Sequence, residues 1–233
     1  MAETAPTGDG KFQMVYDRLS QQLIQGQIPP LKSVSLRSLA KDLDVSPMPV
    51  REAVRRLIAE KALELQPSNK RLRVPELTED RMTQLQKARQ WVEPELTCLA
   101  APHMTREMIR RLKDDDARLM QALTKGDVAG YMQANQDFHF TIYAQAGADL
   151  FHDMARTLWL QVGPFMRVVF GRLGTVHLPK DHHQDMIAAF EAGDADAARA
   201  AMSEDIGEGM GLMLQAIRAH DIDQPARRKR AAR

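Results

Sequence analysis

The segment Ser35–Lys61 reads SLRSLAKDLDVSPMPVREAVRRLIAEK and predicts two short helices joined by a tight turn. Apolar residues recur at three- and four-residue steps over Leu36–Leu43, which is the spacing of one helix face. Ser35 precedes this run, where its hydroxyl can accept a hydrogen bond from the first turn. The second helix begins after Ser46, a second cap candidate, with Pro47 at the first helical position, where a missing N–H costs nothing.

The second helix combines an apolar stripe with a basic face. The stripe consists of Val50, Ala53, Val54 and Leu57. Arg51, Arg55 and Arg56 lie off the stripe, and arginine offers a planar set of donors that matches guanine O6 and N7 or a phosphate. A helix of this kind can enter a DNA major groove while the first helix contacts the backbone. The alternative is a helical hairpin with a solvated basic face, which is what most charge runs are.

Alternating apolar positions follow directly after the second helix. The inward set is Leu63, Leu65, Leu72 and Val74, and the outward set is Glu64, Gln66, Arg71 and Arg73. Alternation on both sides of the turn residues 67–70 predicts a two-stranded hairpin. Upstream, a helix over residues 11–26 carries the apolar positions Val15, Leu19 and Leu23 and can close a small core. Residues 11–75 therefore predict a winged helix-turn-helix, a DNA-binding fold.

The segment Val15–Val74 resembles the DNA-binding domain of the GntR family of bacterial transcription regulators. The match rests on Leu39-Ala40, Leu43, Val45-Ser46, Pro49-Val50-Arg51-Glu52-Ala53 and Arg55-Arg56-Leu57. The resemblance implies base or phosphate contacts at Arg37, Ser46, Pro47 and Arg51. Pro47 occupies a position where relatives commonly carry arginine, so one base-reading group is missing. The wing tip adds three residues that can reach a minor groove or a phosphate: Asn69, Lys70 and Arg71.

Charge is distributed unevenly along the chain. The net charge is +1, yet residues 1–75 carry 12 basic and 8 acidic side chains, whereas residues 76–226 carry 15 and 23. A basic head on an acidic body suits a modular DNA binder, because attraction to the polyanion stays local. The single cysteine excludes an intrachain disulfide framework. With no signal-peptide pattern and no apolar run of spanning length, we expect a cytoplasmic protein without a membrane partner.

The remainder of the chain predicts an all-helical bundle, so the expected fold class is mainly α. Six helices are expected, at roughly 79–101, 105–125, 127–146, 149–172, 178–192 and 194–218. Glycines at 126, 147, 174 and 193 act as breaks, with Asp127, Asp149 and Asp194 as helix starts. The expected domains are a disordered tail at 1–10, the winged helix-turn-helix at 11–75, the bundle at 76–220 and a basic tail at 221–233.

Four polar residues fall at core positions of the predicted bundle. Helical spacing points Asn135, His139, His183 and Asp205 inward from three helices. Buried polar groups need partners, and two imidazoles, a carboxylate and an amide oxygen can hold one divalent metal such as zinc, nickel or manganese. The alternative is that each histidine is simply hydrogen-bonded in the core.

The bundle resembles the FCD ligand-sensing domain of the FadR-like branch of the GntR family. The matching stretches are Arg89…Glu93-Pro94-Glu95…Ala100-Ala101, Asn135…Phe138-His139 and His183…Ile187…Phe190…Gly193-Asp194…Ala197-Ala198. Six helices rather than seven suggest the VanR-like type. The resemblance implies metal ligands at Asn135, His139, His183 and Asp205, although Asp205 stands where the family usually has histidine. His182, one residue out of phase, is expected at the surface, as are His152, His177 and His220.

The resemblance also implies a pocket for a small organic acid beside the metal. Arg89 and Arg167 are the candidates to pair with its carboxylate, and for each the alternative is a salt bridge to a bundle acid. The large aromatic residues are expected in the core: Trp91, Trp159, Phe165 and Phe170.

These patterns predict a ligand-responsive transcription regulator that binds a two-fold-symmetric operator as a homodimer, with repression as the expected mode and activation as the open alternative. One alternative is a DNA-binding protein whose bundle only dimerises. Another is a metal-dependent enzyme with a DNA-binding appendage. Paired Glu-x-x-His motifs, a nucleophile setting and a glycine-rich phosphate loop are missing from the sequence, which argues against the enzyme.

Overall fold

The computed structural model describes residues 8–30, 32–173 and 182–218. It divides into two compact units, Met1–Glu76 with Leu160–Pro164, and Leu77–Trp159 with Phe165–Arg233. The division after Glu76 lies one residue from the boundary predicted from sequence, whereas no sequence pattern predicted the placement of Leu160–Pro164. Residues 1–7 of the expected N-terminal tail, the expected basic tail at 221–233, Gly174, His177 and His220 lie outside the described residues.

The first unit is a three-helix domain with a small hairpin. Its elements are α1 (Gly8–Ile24), α2 (Leu36–Asp42), α3 (Pro47–Ala59), β1 (Glu64–Leu65) and β2 (Leu72–Arg73). The order and type of these elements are those of the predicted winged helix-turn-helix. Helix α1 begins three residues before its predicted start, so residues 8–10 are helical and do not belong to a disordered tail.

The core of this unit forms where α1 and α2 pack against α3. The buried residues include Val15, Leu19, Leu23, Leu39, Ala40, Leu43, Val50, Ala53, Val54 and Leu57, which confirms the predicted stripes. Ser35 caps α2, accepting from the Ser38 N–H at 3.0 Å. Ser46 precedes α3 in extended geometry but makes no side-chain cap, contrary to expectation. Pro49 at the third helical position has no N–H, which removes one of the two N–H groups that a capping hydroxyl can reach.

The wing is a two-stranded antiparallel hairpin with Glu64 opposite Arg73 and Leu65 opposite Leu72. Val34 pairs with Leu72 on the other side, through backbone hydrogen bonds of 2.8 Å in both directions. Strand β2 is therefore enclosed, and Leu72 is buried. Leu65, predicted to face inward, is 45% exposed instead, although its cross-strand partner Leu72 is buried.

The described part of the second unit contains the six expected helices. They are α4 (Glu79–Ala100), α5 (Arg106–Lys125), α6 (Val128–Tyr143), α7 (Asp149–Leu173), α8 (His182–Ala192) and α9 (Ala195–Arg218), with a 3-10 turn at Ala101–His103. Thr78, Thr105 and Asp127 cap three of these helices through their side-chain oxygens. Gly126 ends α5 at φ 67°, in the left-handed region where glycine carries no Cβ penalty. The predicted start of the fifth bundle helix at 178 lies outside the described residues.

Helix α4 packs against α6 and α9, α5 against α6 and α8, and α8 against α9. Trp159, Phe165 and Phe170 are buried as expected, whereas Trp91 on α4 is 76% exposed. The aromatic ring at position 91 therefore lies outside the core of this chain, contrary to prediction.

Candidate functional site

Residues predicted to contact DNA all lie at the surface of the first unit. The exposed set is Arg37, Ser46, Pro47, Arg51, Asn69, Lys70 and Arg71. Among the described residues, neither Arg37 nor Arg51 forms an ion pair. Arg51 follows the exposed N-terminal end of α3, whose first-turn N–H groups lack a side-chain cap. The start of α3 thus offers the Ser46 hydroxyl, the Met48 N–H and the Arg51 guanidinium, all of which can donate to a polyanion.

The other two arginines of α3 are held by their own domain. Arg55 lies 3.2 Å from Glu52, and Arg56 lies 3.0 Å from Glu60 and over the ring of Tyr16 at 3.9 Å. Their guanidinium groups are less available than that of Arg51, so Arg51 is the best base-reading candidate on α3.

At the wing tip, Asn69 and Arg71 make hydrogen bonds within the domain, whereas the Lys70 side chain makes none among the described residues. Asn69 Oδ1 accepts from the Arg71 backbone N–H at 2.9 Å, and the Arg71 guanidinium donates to the Ser33 carbonyl at 2.9 Å. Lys70 adopts a left-handed backbone conformation with φ 54°. Of the three candidates, Lys70 therefore has its charged group most available for a phosphate.

The second unit encloses a cavity of about 310 Å³. Its polar wall consists of Arg89, Thr124, Asn135, His139, His182, His183, Asp205 and Glu208. Its apolar wall consists of Leu119, Met120, Leu123, Tyr131, Met166, Phe170, Ile206, Gly209 and Met213. All four predicted metal ligands line this one cavity. A pocket with a large apolar wall and a few convergent polar groups has the character of a small-molecule site.

His139, His183 and Asp205 bring their donor atoms together. All three donors lie within 4.8 Å of one another. The Nε2 atom of His139 lies 3.4 Å from Asp205 Oδ2, and the Nε2 atom of His183 lies 3.7 Å from Asp205 Oδ1. These separations exceed hydrogen-bond length but match donors arranged around one ion with bonds of about 2.0–2.2 Å. Asn135, one helical turn before His139, adds a fourth polar side chain, with an amide oxygen, to the same wall.

The second nitrogen of His139 is held by a hydrogen bond, and the second nitrogen of His183 faces a carboxylate. Nδ1 of His139 lies 3.1 Å from the hydroxyl of Tyr143, which itself donates to Glu93 at 2.6 Å. Because the hydroxyl proton goes to Glu93, the hydroxyl oxygen accepts from Nδ1–H, and Nε2 is left with its lone pair. Nδ1 of His183 lies 3.3 Å from Asp116 Oδ1. Such outer partners orient histidines that ligate metals.

Ring packing and electrostatics keep these groups in a ligand-competent form. The ring of Phe138 stacks on His183 with centroids 3.9 Å apart. Burial, with the nearby charges of His183 and Arg89, lowers the pKa of His139 well below its ordinary value. Burial raises the pKa of Asp205, while His183 and Arg89 oppose that shift. His139 is therefore a neutral imidazole at neutral pH, and a cation beside Asp205 would favour its carboxylate form.

The donor set fits a divalent metal. Two imidazoles and a carboxylate converge, an amide lies in the same wall, and His139 has a hydrogen-bonded outer partner. Asp205 offers a carboxylate oxygen as its ligating atom. A metal held here would act as a Lewis acid toward an anionic group in the cavity.

Arg89 lines the cavity, but its charge is already paired. Its Nε and Nη2 atoms donate to the two oxygens of Glu93 at 2.6 and 2.9 Å, and both residues are buried. Burial alone would lower the pKa of Arg89, but the charge and hydrogen bonds of Glu93 raise it above its ordinary value. The structure thus contains the salt bridge that was the alternative for Arg89. Arg167 is half-buried and does not line the cavity.

Sequence reasoning missed a second histidine cluster at the cavity. His182 was expected at the surface but is only 8% exposed. It approaches three acids on α8 and α9: Asp185, Glu204 and Glu208. The spacing of Glu204 and Glu208 on one helix face was the available signal. His152, also expected at the surface, is half-buried, with its ring against the edge of Phe140.

Known proteins match both units. The FCD domain family matches residues 84–208, and the family described as bacterial regulatory proteins, gntR family, matches residues 11–69. The HTH-type transcriptional regulator McbR of Escherichia coli (strain K12) is 26% identical over 203 residues, covering 86% of this chain and 91% of that protein.

Solved structures show the same architecture. The E. coli McbR/YncC structure has a TM-score of 0.80 at 25% identity and covers 88% of this chain and 97% of that one. A putative transcriptional regulator GntR from Rhodococcus sp. RHA1 has a TM-score of 0.70 at 20% identity, covering 88% and 98%, and shows the shared fold. Within the described residues, no helix has the length and apolar content needed to cross a membrane. The FCD match alone spans more than half of the chain, which therefore belongs to the FCD-containing gntR family of bacterial transcriptional regulators and is not an enzyme.

Proposed function

We propose that this regulator binds a two-fold-symmetric DNA operator as a homodimer and acts as a repressor that a small organic acid releases, with a divalent metal as part of the effector site. The observation that carries the proposal is the convergence of His139, His183 and Asp205 in the wall of an otherwise mainly apolar cavity. A regulator whose bundle served only for dimerisation would have no need of such a buried polar constellation, since buried polar groups are costly unless satisfied.

The start of α3 would supply the sequence-specific contacts. Ser46, Pro47 and Arg51 lie at the exposed end of the helix that such domains place in the major groove. Pro47 has no donor, so base reading rests chiefly on Arg51. Arg37 and Lys70 then position the domain through phosphates, which carry affinity but no sequence information. Paired recognition helices in a homodimer require paired half-sites.

The effector's carboxylate would bind the metal. Arg89 is neutralised by Glu93 and Arg167 is not in the cavity wall, so neither supplies a free positive charge there. An ion held by Asn135, His139, His183 and Asp205 would supply that charge. The apolar wall would then cover the carbon skeleton of the acid, which favours an effector with one carboxylate and an apolar body. Effector binding alters DNA affinity to the extent that it prefers one arrangement of the two DNA-binding units.

The decisive experiment measures DNA binding with and without metal and effector. An operator is first selected from a random DNA library, and binding is followed by fluorescence anisotropy while organic acids are added to zinc-loaded or EDTA-treated protein. We expect an acid to weaken operator binding by about 5- to 150-fold, the range of typical allosteric coupling, and only in the zinc-loaded protein.

Variant His183→Gln tests the role of the metal ligands. It should retain operator binding but lose the acid response, whereas the matched control His152→Gln, which replaces a histidine outside the cavity, should retain both. If no acid changes either operator affinity or thermal stability, and zinc has no effect, the bundle serves only to dimerise and the proposal is wrong. A ligand at 100 times its Kd should stabilise the protein by about 2.7 kcal/mol, so binding would be visible in a thermal scan.

A further inference from the structure

The cluster around His182 is distinct from the interior donor set. His182 and Asp185 stand on the first turn of α8, while Glu204 and Glu208 stand one turn apart on α9. The donor atoms of His182, Asp185 and Glu204 lie within 4.8 Å of one another. His182 and Glu208 also line the cavity, so the cluster lies at its edge, with Asp185 and Glu204 reaching solvent.

The imidazole of His182 is more than nine-tenths buried, and its Nδ1 atom has no hydrogen-bond partner among the described residues. Nδ1 lies 3.4 Å from Glu204 Oε2 and 3.6 Å from Asp185 Oδ2, too far for hydrogen bonds. A tetrahedral ion with bonds of about 2.0–2.2 Å separates its donors by roughly 3.3–3.6 Å. The three donors therefore have the spacing of ligands around one cation.

The contact of the second ring nitrogen, Nε2, explains why Nδ1 of His182 is available to bind a cation. The Nε2 atom of His182 lies 3.1 Å from Glu208 Oε2, within hydrogen-bond distance. If Nε2–H donates to Glu208, Nδ1 carries its lone pair and faces two carboxylates. A buried lone pair directed at two anions is unfavourable unless a cation lies between them. A carboxylate that holds the second nitrogen is also the usual outer partner of a metal-ligating histidine.

We propose that His182, Asp185 and Glu204 bind a second divalent cation, with Glu208 orienting His182. One imidazole and two carboxylates suit an ion such as Zn²⁺ or Mn²⁺. The ion would join the first turn of α8 to α9 at the edge of the cavity. Three protein ligands leave one position of a tetrahedral ion for water or for an anion. The site shares no ligand with the interior set, so the two can be tested separately.

The test counts bound ions. Equilibrium dialysis against low-micromolar Zn²⁺, followed by metal analysis, should give two ions per chain for the unaltered protein. The double variant Asp185→Asn/Glu204→Gln should bind one ion fewer, because it removes two of three ligands. The control Asp114→Asn removes an exposed carboxylate of α5 outside the cluster and should bind as many ions as the parent. Variant His139→Gln should lose the interior ion alone.

A conservative substitution at Glu208 distinguishes its orienting role from the role of the three ligands. Glu208→Gln should still bind the ion at saturation, with affinity about 10- to 100-fold weaker, as expected for an outer partner. The proposal is overturned if the Asp185→Asn/Glu204→Gln variant binds as many ions as the parent protein. If the parent binds one ion that persists in His139→Gln and is lost in the double variant, the site at the cavity edge stands and the interior metal fails.

Discussion

Replacement of Arg89 by methionine should destabilise the helical bundle strongly, although methionine fills a similar volume. Glu93 is completely buried and accepts from Arg89 at 2.6 and 2.9 Å, from Tyr143 at 2.6 Å and from Trp159 at 3.2 Å. Tyr143 and Trp159 are neutral donors, so Arg89 supplies the bonded positive charge. Removal of one partner of a buried ion pair leaves an uncompensated charge and costs about 3–5 kcal/mol. We therefore expect a loss of that size in the free energy of unfolding.

Both tryptophans of the chain lie in the bundle, which gives the assay its selectivity. Trp159 is fully buried and Trp91 is 76% exposed, so the fluorescence change on unfolding comes chiefly from Trp159. Urea denaturation of the metal-free protein, followed by this signal, reports the unfolding of the bundle without interference from the DNA-binding unit. The control is Arg218→Met, which breaks the half-exposed pair with Glu79 and should cost no more than about 1 kcal/mol.

A double variant tests the cause of the loss. Arg89→Met/Glu93→Gln removes both charges and retains an oxygen that can accept from Tyr143 and Trp159. It should be more stable than Arg89→Met alone, with a coupling free energy of about 0.5–3 kcal/mol. If Arg89→Met behaves like Arg218→Met, or if the double variant shows additive losses, the assigned role of the buried pair is wrong.

Three further predictions concern DNA binding and pH. Arg51→Ala should lower discrimination between the selected operator and a mutated one by about 1–3 kcal/mol in anisotropy titrations, whereas Arg18→Ala, an exposed arginine of α1, should leave the ratio unchanged. Lys70→Ala should weaken binding to all sequences alike and reduce the slope of log affinity against log salt by about one. Burial raises the pKa of Asp115 above its ordinary value although Arg118 opposes the shift, so the native state holds this proton to higher pH than the unfolded chain does. The stability that the proton contributes is therefore lost as pH rises above that ordinary value. Asp115→Asn should therefore gain stability relative to the parent between pH 4 and pH 7 in urea titrations, and an equal gain for the exposed Asp114→Asn would contradict this.

Helix identity followed from local features of the sequence. The cap at Ser35, the helix start at Asp127 and the break at Gly126 act within one or two turns. The exception at Ser46 is also local, because Pro49 lacks one of the two N–H groups that a cap at Ser46 could use. Features with such a short range can be predicted without knowing how the chain folds back on itself.

The inward direction of the interior donors was predictable, but their partners were not. Helical periodicity placed Asn135, His139, His183 and Asp205 on buried faces, and they line one cavity. The hydrogen-bonded path from His139 through Tyr143 to Glu93 joins residues up to 50 positions apart. The pairing of Glu93 with Arg89, rather than with solvent, likewise depends on burial from several helices.

Residue type, spacing and charge along the chain were sufficient for the winged helix-turn-helix, the helical bundle and the family. Burial depends on which other elements cover a side chain. Trp91 and Leu65 were predicted to be buried but are exposed, and His182 was predicted to be exposed but is buried. The spacing of apolar residues within one element cannot predict which neighbouring elements will cover it. The cluster of His182 with Asp185, Glu204 and Glu208 therefore arises only in the folded protein, where the packing of α8 against α9 brings these side chains together.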